Sequence, residues 1–204
     1  MPEPSPQAAV YRTIAERRSI RRYRADAVPP ATLQRLLTAA TAAPSSHNRQ
    51  PWRFMVLRAA AAKAALAAAM GQRLREDRTR DGDLPAAIEP DVARSRARIT
   101  GAPVVLVICL TLEEMDVYPD AARNQAEFLM AVQSTAMAVQ NLMLAAVGEG
   151  LGTCWMCAPL FCPDVVRATL DLPAAWQPQA LVTIGYPDGP GRDRPRKPLA
   201  AVVR

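Results

Sequence analysis

The sequence predicts a mixed class, α+β or α/β, built as a single domain around a central sheet. Helix-period and strand-type segments interleave along the chain instead of separating into blocks. Residues 102–112 form a nearly continuous apolar, β-branched run, which reads as a strand buried on both faces. The length of 204 residues suits one domain at about 150 residues per domain, and such a chain buries roughly 70% of its unfolded surface. A repeat with a period of roughly 20 to 50 residues, the mark of a solenoid, is not visible.

Residues 1–9 are Pro-rich and expected to be flexible, leaving 10–204 as the domain. Val10 and Ile14 set a first helix over 8–17 at helical spacing. Pro29 and Pro30 open a second helix, whose Leu33, Leu36, Leu37 and Ala40 share one face up to the break at Pro44. A polar loop, 44–48, leads through Pro51 and Trp52 into a short strand at 53–57. The alanine-rich stretch 59–70 is helical by propensity. Charge density and the breakers Gly82, Pro85 and Pro90 make 72–98 an expected mobile lid, since such a segment buries little. After the 102–112 strand comes a long helix, 121–147, apolar nearly all round and therefore expected to be central, ending at Gly148 and Gly150. A strand at 151–156, a helix at 163–170 and a strand at 179–185 follow.

Composition narrows the chemistry. There are 25 basic against 19 acidic residues, but only Lys63 and Lys197 are lysines, so the excess is an arginine excess. Arginine offers a planar, permanently charged fork for phosphate and carboxylate. Two clusters stand out, Arg17, Arg18, Arg21, Arg22 and Arg24 near the start, and Arg192, Arg194, Arg196 and Lys197 near the end. The single histidine, His47, rules out a His-rich metal site and reads as an incidental loop residue. Cys109, Cys154, Cys157 and Cys162 read as small buried thiols, and no metal site is expected. The longest apolar run is about half of a membrane span, and the first residues lack a signal-peptide pattern. A cytoplasmic protein without membrane or nucleic-acid partners is the expectation, because the arginine clusters lack the interleaved aromatics of a nucleic-acid surface.

Three segments carry more polar density than folding requires. In Arg17-Arg18-Ser19-Ile20-Arg21, arginines and a hydroxyl at a helix end suit a phosphate or a polar ring edge. The loop from Pro44 to Trp52 is dense in short donors and acceptors, and Arg194 and Arg196 form a third group.

Together, Arg-Arg-Ser-x-Arg, Ala-Pro-Ser-Ser-x-Asn-x-Gln-Pro-Trp and a near-terminal Gly-Tyr-Pro followed by Arg-x-Arg-Lys-Pro resemble the FMN-dependent nitroreductase family over nearly the whole chain. The resemblance implies an α+β three-layer sandwich, a central mixed sheet flanked by helices, in a domain-swapped homodimer with FMN at the interface. It implies that Arg17, Arg18, Ser19 and Arg21 contact the FMN phosphate, ribityl chain and ring edge, and that Arg194 and Arg196 close on the phosphate. Pro44, Ser45, Ser46 and Asn48 would reach the flavin of the other subunit, and the amides of Cys157 and Ala158 would lie near flavin N5. A narrower likeness runs through Tyr118-Pro119-Asp120, Arg123, Glu127, the 138–142 and 150–155 stretches, Leu160-Phe161 and 170–176. These resemble the C-terminal FMN reductase domain of the bifunctional enzymes that make the deazaflavin coenzyme F420.

The resemblance implies hydride transfer through flavin N5, with NAD(P)H as donor and no need of a Ser-His-Asp set. The implied acceptor is the dehydro precursor of F420, with Arg73 and Arg75 expected to steer its phosphate and carboxylate. The rival expectation is a general NAD(P)H-dependent nitroaromatic or quinone reductase on the same fold.

Overall fold

A computed structural model describes residues 5–204. Among these residues six α-helices and four strands follow one another as α1 (Pro6–Glu16), α2 (Pro30–Thr41), β1 (Trp52–Leu57), α3 (Ala60–Arg80), α4 (Pro85–Thr100), β2 (Val104–Leu110), α5 (Ala121–Gly148), β3 (Gly152–Met156), α6 (Pro163–Leu170) and β4 (Gln177–Gly185). The strands form one sheet in the order β1-β2-β4-β3. Trp52 stands opposite Leu110, Val104 opposite Ile184 and Gly152 opposite Gly185.

Every residue of β2 is buried, because the alternation of a strand sends its apolar side chains into two separate cores. Val104, Leu106 and Ile108 pack with Leu33 and Leu36 of α2 and with Ala138, Val139 and Leu142 of α5. Val105, Val107 and Cys109 pack with Leu66 and Met70 of α3, Ile99 of α4 and Val166 of α6. The result is three layers, helices on both faces of a sheet, an α+β sandwich. Side chains such as Leu106, fully buried, contribute about 1.5–3 kcal/mol each.

Four expectations change. The sheet read as mixed is antiparallel across all its strand pairs, and parallel pairing is confined to an isolated bridge between Ser19 and Thr153. The expected lid at 72–98 is a helical hairpin. Gly82, at φ 91°, makes its turn, and Pro85 occupies a helix-start position where proline is favoured. Ile88, Val92 and Ile99 are buried. Cross-helix pairs then absorb the charge, with Arg75 forking onto Glu89 at 2.7 and 2.9 Å and Arg78 reaching Asp83 at 2.6 Å and Asp91 at 2.7 Å. The third change concerns α5, which is not wrapped on all sides. Ala131, Ala138, Leu142 and Ala146 are buried, while Leu129 and Met137 are 49% and 40% exposed. Finally, Cys109, Cys154 and Cys162 are buried as expected, but Cys157 is exposed.

Candidate functional site

Between α1 and α2 the chain runs extended along the outer edge of the sheet. Ser19 bridges to Thr153 and Tyr23 to Pro187. The Ile20 amide donates to the Thr153 carbonyl and the Arg24 amide to the Tyr186 carbonyl, both at 2.9 Å. The Asp188 amide closes the ladder on the Arg22 carbonyl at 3.1 Å. Small residues make this close approach possible, since a Cβ on Gly152 would stand 2.6 Å from Ile20 and one on Gly185 2.9 Å from Tyr23. Tyr23 locks the segment. Its hydroxyl donates to the Ile20 carbonyl at 2.6 Å and lies 2.7 Å from Thr183 Oγ1. Burial pushes this phenol well above its ordinary range.

Pinned in this way, the segment turns its arginines toward a cavity of about 1110 Å³, at the upper end of the roughly 300–1,000 Å³ typical of ligand sites. Its wall includes Arg17, Arg18, Ser19 and Arg21 together with Arg194 and Arg196, so the two distant arginine clusters converge. Four further arginines belong to the wall: Arg22, Arg192, and Arg94 and Arg98 of α4. Spacing of four residues on one helix face brings the last two together, a signal that was present in the sequence and hidden by reading 72–98 as a lid. Carboxylates are scarce here. Among the described residues Asp188 is the one acidic residue in the wall, Asp193 pairs with Arg18 at 3.1 Å, and Asp91 pairs with Arg94. Burial pulls the Arg98 guanidinium below its ordinary value, and nearby Arg21 and Arg94 lower it further. Burial likewise pushes the Cys154 thiol up, while Arg21 and Arg98 pull it partway back.

The remaining site residues lie elsewhere. Cys157 and Ala158 stand at the end of β3, outside the cavity wall, and the Trp155 indole donates to Cys157 Sγ at 3.0 Å. Pro44, Ser45, Ser46 and Asn48 also lie outside the wall of their own chain's cavity. Their loop is fastened to α5, with the Ser46 amide donating to Ser134 Oγ at 3.2 Å. Within it His47, Asn48 and Gln50 all have positive φ, at 49°, 55° and 49°, a conformation that costs a non-glycine residue roughly 1–2 kcal/mol. Neither Arg73 nor Arg75 reaches the cavity. Arg73 grips Asp164 of α6 at 2.6 Å and Arg75 is spent on Glu89. His47, Asp116 and Glu127 each bring a ligand-type atom within 4.8 Å of the others. Asp116 already pairs with Arg49 at 2.7 Å, and Glu127 keeps one buried carboxylate oxygen without a partner.

The profile of the nitroreductase family matches residues 14–186, and the chain belongs to that family. A protein of Thermus thermophilus named NADH dehydrogenase is 34% identical, the match covering 92% of this chain and 91% of the relative. A 5,6-dimethylbenzimidazole synthase of Rhodospirillum rubrum is 32% identical over 84% of this chain and 78% of its own. A crystal structure described as a nitroreductase in complex with FMN, from Desulfovibrio desulfuricans, superposes with a TM-score of 0.73 at 27% identity, covering 98% of this chain and 96% of the other.

Proposed function

We propose that the chain is an FMN-dependent oxidoreductase that passes hydride from NAD(P)H to a small-molecule acceptor. The observation that carries this reading is the convergence of Arg17, Arg18, Arg21, Arg194 and Arg196 on one cavity, a donor set that suits a phosphate dianion. The close packing there also fits, because a Cβ on Gly191 would stand 2.5 Å from Arg18 Cβ and so push the tail off the arginine segment. FMN, when bound, supplies the hydride chemistry at N5. The protein's own residues bind and orient. Arg17, Arg18, Arg194 and Arg196 would hold the phosphate by forked, charge-assisted hydrogen bonds. Ser19 would contact the ribityl chain, and Arg21 would place positive charge at the ring edge. The amides of Cys157 and Ala158, beyond the cavity wall, would serve the ring near N5.

The working unit we propose is a homodimer in which Pro44, Ser45, Ser46 and Asn48 complete the partner's site. Exposed Leu129 and Met137 on α5, with Val10, Tyr11 and Ile14 on α1, support it as apolar surface that a second copy would cover. For the acceptor we propose an unsaturated carboxylate that carries a phosphodiester, the dehydro precursor of F420, on the strength of the motif likeness in the second half of the chain. A relative named NADH dehydrogenase favours the second reading, a general nitroaromatic or quinone reductase.

The spectrum of the purified protein tests the cofactor, since a yellow chromophore released as FMN is expected. Colourless protein that takes up no FMN on reconstitution would overturn the reading. Steady-state assays with the dehydro precursor against a nitroaromatic then decide the acceptor, with higher kcat/KM for the precursor expected.

A further inference from the structure

The cavity holds more positive charge than one flavin phosphate can neutralise. Nine guanidinium groups line it. Against them stand Asp188 in the wall and, at its edge, Asp193 and Asp91, each already paired with an arginine, which leaves an excess of six positive charges. A phosphate monoester brings about −1.5 to −2. Among the described residues no carboxylate stands within ion-pair distance of Arg98, which shares the cavity wall with Arg94 one turn before it and with Arg21. The backbone gives an anion no help there, because this wall is the carboxyl-terminal half of α4, ending at Gly101, where the helix dipole is negative. Side-chain guanidinium groups alone define the site.

We propose that the cavity binds two phosphates, that of the flavin on Arg17, Arg18, Arg194 and Arg196, and a second one on Arg94 and Arg98 of α4, brought by the molecule that exchanges hydride with the flavin. This rests on the flavin reading and adds to it a substrate class, a phosphate-bearing redox partner. Two partners have that chemistry, a nicotinamide dinucleotide with a 2′-phosphate and an acceptor with a phosphodiester.

FMN-loaded protein titrated with inorganic pyrophosphate at low salt tests the site by calorimetry. One pyrophosphate per chain is expected without loss of flavin. The double variant Arg94→Gln with Arg98→Gln is expected to weaken pyrophosphate tenfold or more at unchanged FMN content, whereas Arg17→Gln is expected to lose FMN. Three results would overturn the proposal: no pyrophosphate binding, binding indifferent to the double variant, or FMN lost from the double variant in step with pyrophosphate. The source follows from kinetics. A fall in the double variant's ratio of kcat/KM for NADPH over NADH assigns the second phosphate to the donor, an unchanged ratio with a raised KM for a phosphodiester acceptor assigns it to the acceptor, and no change in either overturns the assignment to a redox partner. Wild-type protein that takes up no FMN overturns the functional reading instead. Pyrophosphate binding lost on substituting Arg94 and Arg98 in that flavin-free chain still supports an anion site on α4.

Discussion

Through one hydroxyl, Tyr23 ties the arginine segment to the sheet, reaching Ile20 and Thr183 at once. Tyr23→Phe removes those bonds and leaves the Ile20 carbonyl short of a partner, so a loss of about 1–2 kcal/mol is expected by chemical denaturation, together with weaker FMN binding by fluorescence titration. Cys109 sets an alkaline limit. Burial raises its thiol from an ordinary 9.0 to about 12. Above pH 9 the unfolded chain sheds this proton while the folded one retains it, so stability present below pH 9 is lost on the way to pH 12, at up to about 1.4 kcal/mol per pH unit. Urea midpoints from pH 8 to 10.5 should therefore fall, and fall less steeply in Cys109→Ala. At this scale the sequence was informative where chemistry repeats a pattern: Arg17, Arg18, Ser19, Arg21, Arg194 and Arg196 were legible together through the motif resemblance, and they do share one cavity. Tyr23 was not, because its role depends on Thr183, distant in the chain and close only after folding.

Helices and strands were legible wherever apolar periodicity decided them, as in β2 and α5. The α3–α4 hairpin was not, and the reason is specific. Beyond Gly71 its buried positions, Ile88, Val92 and Ile99, are few and spread among charges, so local composition resembles a solvated linker, while the cross-helix pairs that tame those charges join residues fourteen positions apart, such as Arg75 and Glu89. Ile88→Ala separates a packed hairpin from a loose lid. With the side chain 2% exposed, a loss of about 2–4 kcal/mol is expected from the transfer and cavity terms, visible as a lowered Tm. A lid would be indifferent to the change.

The whole molecule is three layers with an incompletely covered outer face. A helix of 28 residues with mean hydropathy 1.3 over its most apolar stretch has only a third of that stretch buried within the chain. Its length and apolarity were legible from sequence, but the split between a face on the sheet and a face left open was not, since both are equally apolar. A second copy seated on α5, as proposed above, would account for that open face. Leu129→Arg with Met137→Arg is then expected to shift the species seen by light scattering from dimer to monomer and to lower flavin occupancy at the same time, while the monomer keeps its far-UV spectrum. Retained dimer in the double variant would place the interface elsewhere.

The tail from Arg192 onward is exposed at every residue, yet it supplies Arg192, Arg194 and Arg196 to the cavity. Such a segment has no core of its own to offset the entropy of ordering it, about 1–2 kcal/mol per fixed residue. Whatever fills the cavity must supply that free energy, so observed affinity is the gross attraction minus the ordering of the tail. Ligand and tail are thus linked equilibria. Deleting 192–204 should leave the Tm of the flavin-free protein unchanged and abolish the rise in Tm on adding FMN, and in the intact chain amide exchange in the tail should slow in proportion to occupancy.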